Sequence, residues 1–298
     1  MIYLLLAVLM NVVIFLAFRS YSRYEIKTFP AILINYAVCV ITGLLFVGPS
    51  TLVEKSDYAA PWFITSIFLG LCFISTFYLM AKTTQVHGVA VATVASKMSL
   101  ALPVFFSLFI FKFGTSSLNG WHYGGIILAF LAIVLVTYKK QQKYDEKRNY
   151  RGLLLPLVIF VMGGVIDTTL NYVNSQFLEQ ELNAVFPIYI FLFAFLTGLG
   201  YAFIKKTPFG FKELLGGLYL GIPNYFSVYF ILKALSAYDS NGALVYPTVN
   251  VGIIILATFS AIILYREKLS RTNWIGILVA VLVIVLLSHL EILTYFNL

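Results

Sequence analysis

Residues 68–82 read FLGLCFISTFYLMAK, and residues 219–233 read YLGIPNYFSVYFILK. Both are apolar runs that end in a lysine. Set 151 positions apart, Leu69-Gly70 meets Leu220-Gly221, Tyr78 meets Tyr229 and Lys82 meets Lys233. The same spacing lays GIILAFLAIVLV (125–136) on GILVAVLVIVLL (276–287). Trp121 and Trp274 each open the last apolar run of their half, FP recurs at 29–30 and 186–187, and TGL at 42–44 and 197–199. Apolar segments resemble one another by chance, so the shared order of the matches carries the argument rather than any single match. The chain reads as an internal duplication.

What is duplicated is a set of membrane spans. The 298 residues are 61% hydrophobic and only 11% charged, and the mean hydropathy is +0.93. A soluble domain is about half apolar and about a quarter charged. A spanning helix needs about 20 mostly apolar residues. Windows of that size give ten spans, at 2–18, 29–47, 61–81, 88–111, 120–138, 153–174, 184–204, 214–234, 242–265 and 274–290. Only TTQVHG separates the third from the fourth, so one broken hairpin is an alternative there. The N-terminal run is apolar from its first residue and meets its first charge at Arg19. A secretory signal has the opposite order, so this run is expected to stay as the first span.

The formal net charge of +8 serves orientation here rather than nucleic-acid binding. Fifteen of the twenty Lys and Arg fall in odd-numbered loops: Arg19, Arg23, Lys27, Lys139, Lys140, Lys143, Lys147, Arg148, Arg151, Lys205, Lys206, Lys212, Arg266, Lys268 and Arg271. Only Lys55 and Lys112 fall in even-numbered loops. The positive-inside rule then puts the odd loops in the cytoplasm and both termini outside. Cys39 and Cys72 lie within apolar runs, as small buried side chains do.

Five spans per repeat is an odd number, so the second repeat must sit upside down relative to the first. The expected fold is an all-α membrane protein of ten transmembrane helices in two inverted five-helix repeats, 1–145 and 146–298, joined through KKQQKYDEKRNYR near 139–151. Secondary transporters are built this way, with substrate near the midplane between the repeats.

The segments FYLMAKTTQVHGVAVATVASKMSLALPVF (77–105), NYFSVYFILKALS (224–236) and YREKLSRTNWIGI (265–277) give the chain a family likeness. With ten spans as five plus five, it resembles the drug/metabolite transporter superfamily and its EamA-like branch in particular. The last segment is similar to a Gly-Glu-Arg-Leu-like stretch of that family, with Arg266-Glu267 in place of Gly-Glu. The first half departs from it, since FKFGTSSLNGW (111–121) has no glutamate. The resemblance implies a central cavity built chiefly by the first, third, fourth, sixth, eighth and ninth spans. It leaves the substrate undefined, because members carry amino acids, nucleotide sugars, purines or drugs.

Charge inside the spans marks the candidate site. Lys97 lies nine residues into the fourth span, roughly 14 Å from its basic-loop end and near the centre of a ~30 Å core. A charge there costs at least about 2.5–3.5 kcal/mol on insertion scales. Pro103 follows and can free a backbone carbonyl one turn back. Setting TVAS (93–96) against TVNV (248–251) leaves the lysine with no charged counterpart in the second half. Asp167 is the only acid within a span, and Gly163, Gly164, Asp167, Asn171 and Asn174 form one polar stripe on the sixth. Further polar positions at helical spacing are Ser75, Tyr78 and Lys82 in the third span, Thr93 in the fourth, and Asn224, Tyr229 and Lys233 in the eighth. Tyr246 and Asn250 share a face of the ninth span, and Asn11 lies mid-span in the first.

The expected substrate-binding or translocation residues are therefore Lys97, Asp167, Asn171, Tyr78, Ser75, Thr93, Asn224, Tyr229, Tyr246, Asn250 and Asn11, with Lys82 and Lys233 as candidate gate or helix-end charges. Each polar residue has a plainer alternative. Lysines near span ends snorkel, tyrosines belt the interface, and buried asparagines join helices. Lys97 and Asp167 have the alternative of a structural ion pair.

The function expected is secondary transport, as exporter or exchanger, of a small polar or amphipathic metabolite such as an amino acid across a bacterial-type inner membrane. No cofactor, metal or nucleic acid is expected, and the chain would act as monomer or homodimer in the bilayer. A membrane-embedded enzyme or a channel-like subunit is the alternative. Against an enzyme, His87, His122 and His289 stand far apart, and no HExxH, paired-aspartate or Gly-rich phosphate motif is present.

Overall fold

The computed structural model describes residues 2–100, 102, 120–138, 149–238 and 242–287. Pro103, the rest of the fourth span to 111, Lys112, the joining segment 139–148, and His289 with the end of the tenth span lie outside the described residues. Among the described residues the regular structure is entirely helical. The helices are α1 (Ile2–Arg23), α2 (Thr28–Val47), α3 (Pro49–Lys55), α4 (Pro61–His87), α5 (Val89–Lys97), α6 (Gly120–Thr137), α7 (Asn149–Gln176), α8 (Val185–Lys205), α9 (Phe211–Ala237), α10 (Gly242–Tyr265) and α11 (Arg271–Leu287). Short 3₁₀ turns cover Met98–Leu100 and Gln180–Asn183.

Among the described residues, seven helices are long and apolar enough to cross a bilayer, and α6 and α11 contain shorter apolar helices. The chain is an integral membrane protein. Helices suit such a sequence because every backbone N–H and C=O at membrane depth must be satisfied within its own segment. Pro156, Pro223 and Pro247 sit inside α7, α9 and α10, as membrane helices tolerate. Pro61 opens α4, where its missing N–H costs nothing.

Helix α4 runs through TTQVH, and a single residue, Gly88 at φ +99°, parts it from α5. Glycine is favoured there by its φ, and a side chain would also crowd Glu267. L-residues avoid that φ, and a Cβ would lie 2.9 Å from Glu267 Oε2.

The helices pack as a bundle in which α2 lies on α9, α4 on α8, and α6 on α11. Glycines set the closest approaches. A Cβ on Gly70 of α4 would meet Phe193 Cβ at 2.7 Å and Ile190 O at 2.9 Å in α8; one on Gly221 of α9 would meet Val38 Cβ at 2.6 Å and Asn35 O at 2.8 Å in α2. Phe193 and Ile190 each stand 155 positions after Val38 and Asn35, the spacing of the two TGL segments. Gly43 of α2 abuts Ile188 and Tyr225, while Gly198 of α8 abuts Leu33 and Ile74. The stretches that match in sequence thus make matching contacts.

The bundle has two distinct ends. At one, the segments rich in Lys and Arg meet. Tyr265 OH donates to Leu16 O (2.9 Å), Lys212 Nζ to Tyr24 O (3.3 Å) and Asn273 Nδ2 to Val136 O (2.6 Å). At the other, α3 lies over the turn before α8, tied by Lys55–Glu181 and by Ser56 with Tyr189. The Glu181 carboxylate beside it raises the Lys55 pKa above its ordinary value.

Candidate functional site

Helix α5 stops at Lys97 and tightens into the 3₁₀ turn Met98–Leu100. A change of helix type in mid-span often marks a functional hinge, and it leaves carbonyls without their i+4 donors. At this change of helix type, Lys97 O accepts from Asn250 Nδ2 of α10 at 3.2 Å. The Lys97 ammonium donates to Asn11 Oδ1 of α1 at 3.3 Å. Asn11 is held in turn by its Nδ2, which donates to Ala7 O at 2.9 Å.

Across from Lys97 stands α7. Gly163 and Gly164 let it come close, since a Cβ on Gly163 would lie 3.0 Å from Ser99 Oγ and one on Gly164 2.4 Å from Leu102 Cδ1. One turn on, Asp167 Oδ2 lies 3.0 Å from Ser99 Oγ, which also lies 2.5 Å from Ser96 O. The Asp167 carbonyl accepts from Tyr246 OH of α10 at 3.3 Å.

Lys97 and Asp167 do not form a direct ion pair. Within 4.0 Å, the ion pairs among the described residues are Arg19–Glu267, Lys55–Glu181 and Lys212–Glu25. The two charges are near enough to act on each other electrostatically, yet each leans on a neutral neighbour. An ammonium has three donors and a carboxylate about four acceptor sites. Among the described residues one of each is used. Both side chains lie deep in the bundle, each with only part of its surface exposed. The arrangement holds a positive and a negative group apart in the bundle interior, and among the described residues each has hydrogen-bonding capacity to spare. Asn171, one turn beyond Asp167, adds an Oδ1 acceptor without a partner among the described residues.

The expected site residues thus divide. Lys97, Asp167, Asn11, Tyr246 and Asn250 come together, with Asn171 a turn away. Thr93 lies one turn before Lys97, but its hydroxyl is spent on its own helix, donating to Val89 O at 2.7 Å. Asn224 joins α9 to α2, donating to Asn35 Oδ1 at 3.1 Å. Ser75, Tyr78 and Lys82 are exposed on the outward face of α4. Tyr229 packs in an aromatic cluster, 5.1 Å from Phe46 by ring centroid, and Lys233 is one turn along the same helix. Two residues outside the expected set, Ser99 and Glu267, also contribute. Ser99 could have been found only by knowing that the helix changes type at Lys97. Glu267 accepts from the backbone N–H of Val89 at the start of α5 at 3.1 Å and pairs with Arg19 Nε at 3.2 Å. Among the described residues no group of three His, Cys, Asp or Glu is placed to hold a metal.

Fold and site together define an all-helical membrane protein with opposite charges held apart in its interior. An uncharacterized protein of Haemophilus influenzae is 26% identical over 294 residues, covering 97% of this chain and 98% of its own length. A crystal structure of a protein superposes with a TM-score of 0.63 over 97% of this chain and 96% of that one, at 16% identity, which is a likeness of fold alone. No family model matches the chain.

Proposed function

We propose that the protein is a secondary transporter of a small polar or amphipathic metabolite, such as an amino acid, and works by alternating access across a bacterial-type inner membrane. The observation that carries this reading is the separation of Lys97 from Asp167 in the bundle interior, where α5 gives way to a 3₁₀ turn. Discontinuous helices at the midplane are where transporters of inverted-repeat architecture place their substrates. In this reading Lys97 takes a carboxylate or phosphate, and Asp167 takes an ammonium group or a coupling proton.

The proposal includes an architecture of ten spans in two inverted five-helix repeats, and membership of the EamA-like branch of the drug/metabolite transporters. The matching contacts made by Gly70 and Gly221, and by Gly43 and Gly198, support the repeat. The gathering of basic loops at one end supports cytoplasmic odd loops and external termini. That end is closed by Glu267, which joins α1, α5 and the segment after α10. Its opening would admit substrate from the cytoplasm.

The test is counterflow in proteoliposomes, with substrates first found by thermal stabilisation of the purified protein against a metabolite panel. If Lys97→Ala protein folds and transports at the wild-type rate, the assigned site is wrong.

A further inference from the structure

On the outer face of the bundle, α2, α4 and α8 enclose a groove of about 530 Å³. Phe29 packs edge-on against Tyr201 (ring centroids 5.0 Å) and Tyr78 (6.3 Å) along its wall, and Lys205 stands at its basic-loop end. The side chains that frame it face outward. Tyr201 is 51% exposed, and next to it Phe203 and Ile204 are 74% and 79% exposed, as lipid-facing residues of a membrane helix are.

The duplication explains why there is a groove here. At the spacing of 151, Ser75 corresponds to Phe226; at the spacing of the TGL segments, Tyr201 corresponds to Phe46. In the second half the Phe226 ring stacks edge-on to Phe46 at 5.4 Å and occupies the space. In the first half Ser75 turns its hydroxyl back to Leu71 O at 2.9 Å and leaves that space empty of side chain.

Charge selects the occupant. Lys205 is exposed and has no ion pair within 4.0 Å among the described residues. Lys82, exposed one turn beyond Tyr78, adds a second ammonium toward the same end. Among the described residues no acidic residue lines the groove. An apolar, aromatic-walled channel open to lipid and ending in cations at the interface fits an acyl chain below an anionic headgroup.

We propose that this groove binds an anionic glycerophospholipid, with one acyl chain along Tyr78 and Tyr201 and the headgroup phosphate on Lys205. The inference does not depend on the protein's being a transporter. The test is native mass spectrometry of the full-length protein in neutral detergent, titrated with phosphatidylglycerol or phosphatidylcholine. Wild type should retain phosphatidylglycerol in preference to phosphatidylcholine. Lys205→Gln should weaken that retention by about fivefold. Ser75→Phe should abolish it with little change in Tm, because the protein already accommodates phenylalanine at the matching position 226. Equal retention of the two lipids would overturn the proposal. So would wild-type retention in Lys205→Gln, an exposed position where folding is not at risk, or displacement of the lipid by millimolar inorganic phosphate.

Discussion

Arg19 and Glu267 hold the basic end of the bundle together. Arg19 Nε lies 3.2 Å from Glu267 Oε1, and Arg19 Nη1 donates to Gln85 O at 3.2 Å near the end of α4. The same carboxylate accepts from the Val89 N–H at the start of α5. An acid is favoured there, because the first N–H groups of a helix have no intrahelical partner and carry partial positive charge. Glu267 thereby fastens α1 and α5 to the segment that follows α10, and Arg19 extends the tie to α4.

Glu267→Ala therefore removes a partner from a guanidinium and from a helix N-terminus at once. The Glu267 side chain is 8% exposed and that of Arg19 28%, so solvent compensates only in part. The expected loss is about 1–3 kcal/mol, read as a lower Tm of the purified protein. Glu267→Gln keeps the acceptor for Val89 and should recover part of the loss. A thiol introduced at Thr93, one turn before Lys97, should become more reactive to a membrane-impermeant reagent applied from the basic-loop side. Unchanged Tm and unchanged labelling in Glu267→Ala would remove its role as a closure.

Asp167→Asn separates a structural from a functional use of the charge. The amide keeps an oxygen for Ser99 and no direct ion pair is broken, so the stability cost should be about 1 kcal/mol. Substrate-induced stabilisation and counterflow should nonetheless fall at least tenfold. Lys97→Met should behave likewise, with an apolar side chain of similar length in place of the ammonium. Wild-type counterflow in both variants would show that the pair only supports the fold.

Asn250 carries a different kind of burden. Its Nδ2 is the donor to the carbonyl at the break in α5. Asn250→Leu should take that donor away from the carbonyl, at a cost of about 1–3 kcal/mol. Asn250→Asp presents an acceptor to an acceptor and should be no milder at neutral pH. A Tm within error of wild type for both would mean that the carbonyl finds another donor and that Asn250 does not position Lys97.

Much of this arrangement is legible in the sequence, for identifiable reasons. Apolar runs of spanning length mark the helices because lipid tolerates little else. Lys97 and Asp167 stand out because charge at that depth is costly. How each helix is rotated is less legible. On α4, positions 71, 75, 78 and 82 face outward while 70, 73, 77 and 84 are buried. That choice is made by Gly70, which lets the backbone of α4 sit against α8. A polar stripe of Ser75, Tyr78 and Lys82 carries no mark of this, since serine satisfies its hydroxyl on its own helix and the other two reach toward the interface. Ser99 is silent for the same reason until the helix is seen to change type before it. Arg19 and Glu267 are far apart in the chain, and no periodicity links them.

The paired glycines give the duplication a direct energetic test. A methyl group at Gly70 would fall within 3 Å of the α8 backbone, and one at Gly221 within 3 Å of the α2 backbone. Backbone cannot turn aside as a flexible side chain can, so each helix pair would have to separate. Gly70→Ala and Gly221→Ala should each destabilise by about 1–3 kcal/mol. Gly200→Ala is the control, because a Cβ there meets nothing within 4 Å and alanine favours helix by about 1 kcal/mol. Since α4–α8 and α2–α9 would be the same interface used twice, the two costs should agree within about 1 kcal/mol. Because the two sites have no contact residues in common, the double variant should show their sum to within about 0.5 kcal/mol. Denaturation in mild detergent measures all four variants. A large loss at one glycine beside none at the other would mean that the matched sequences do not make equivalent interfaces, and the case for two inverted repeats would lose its structural support.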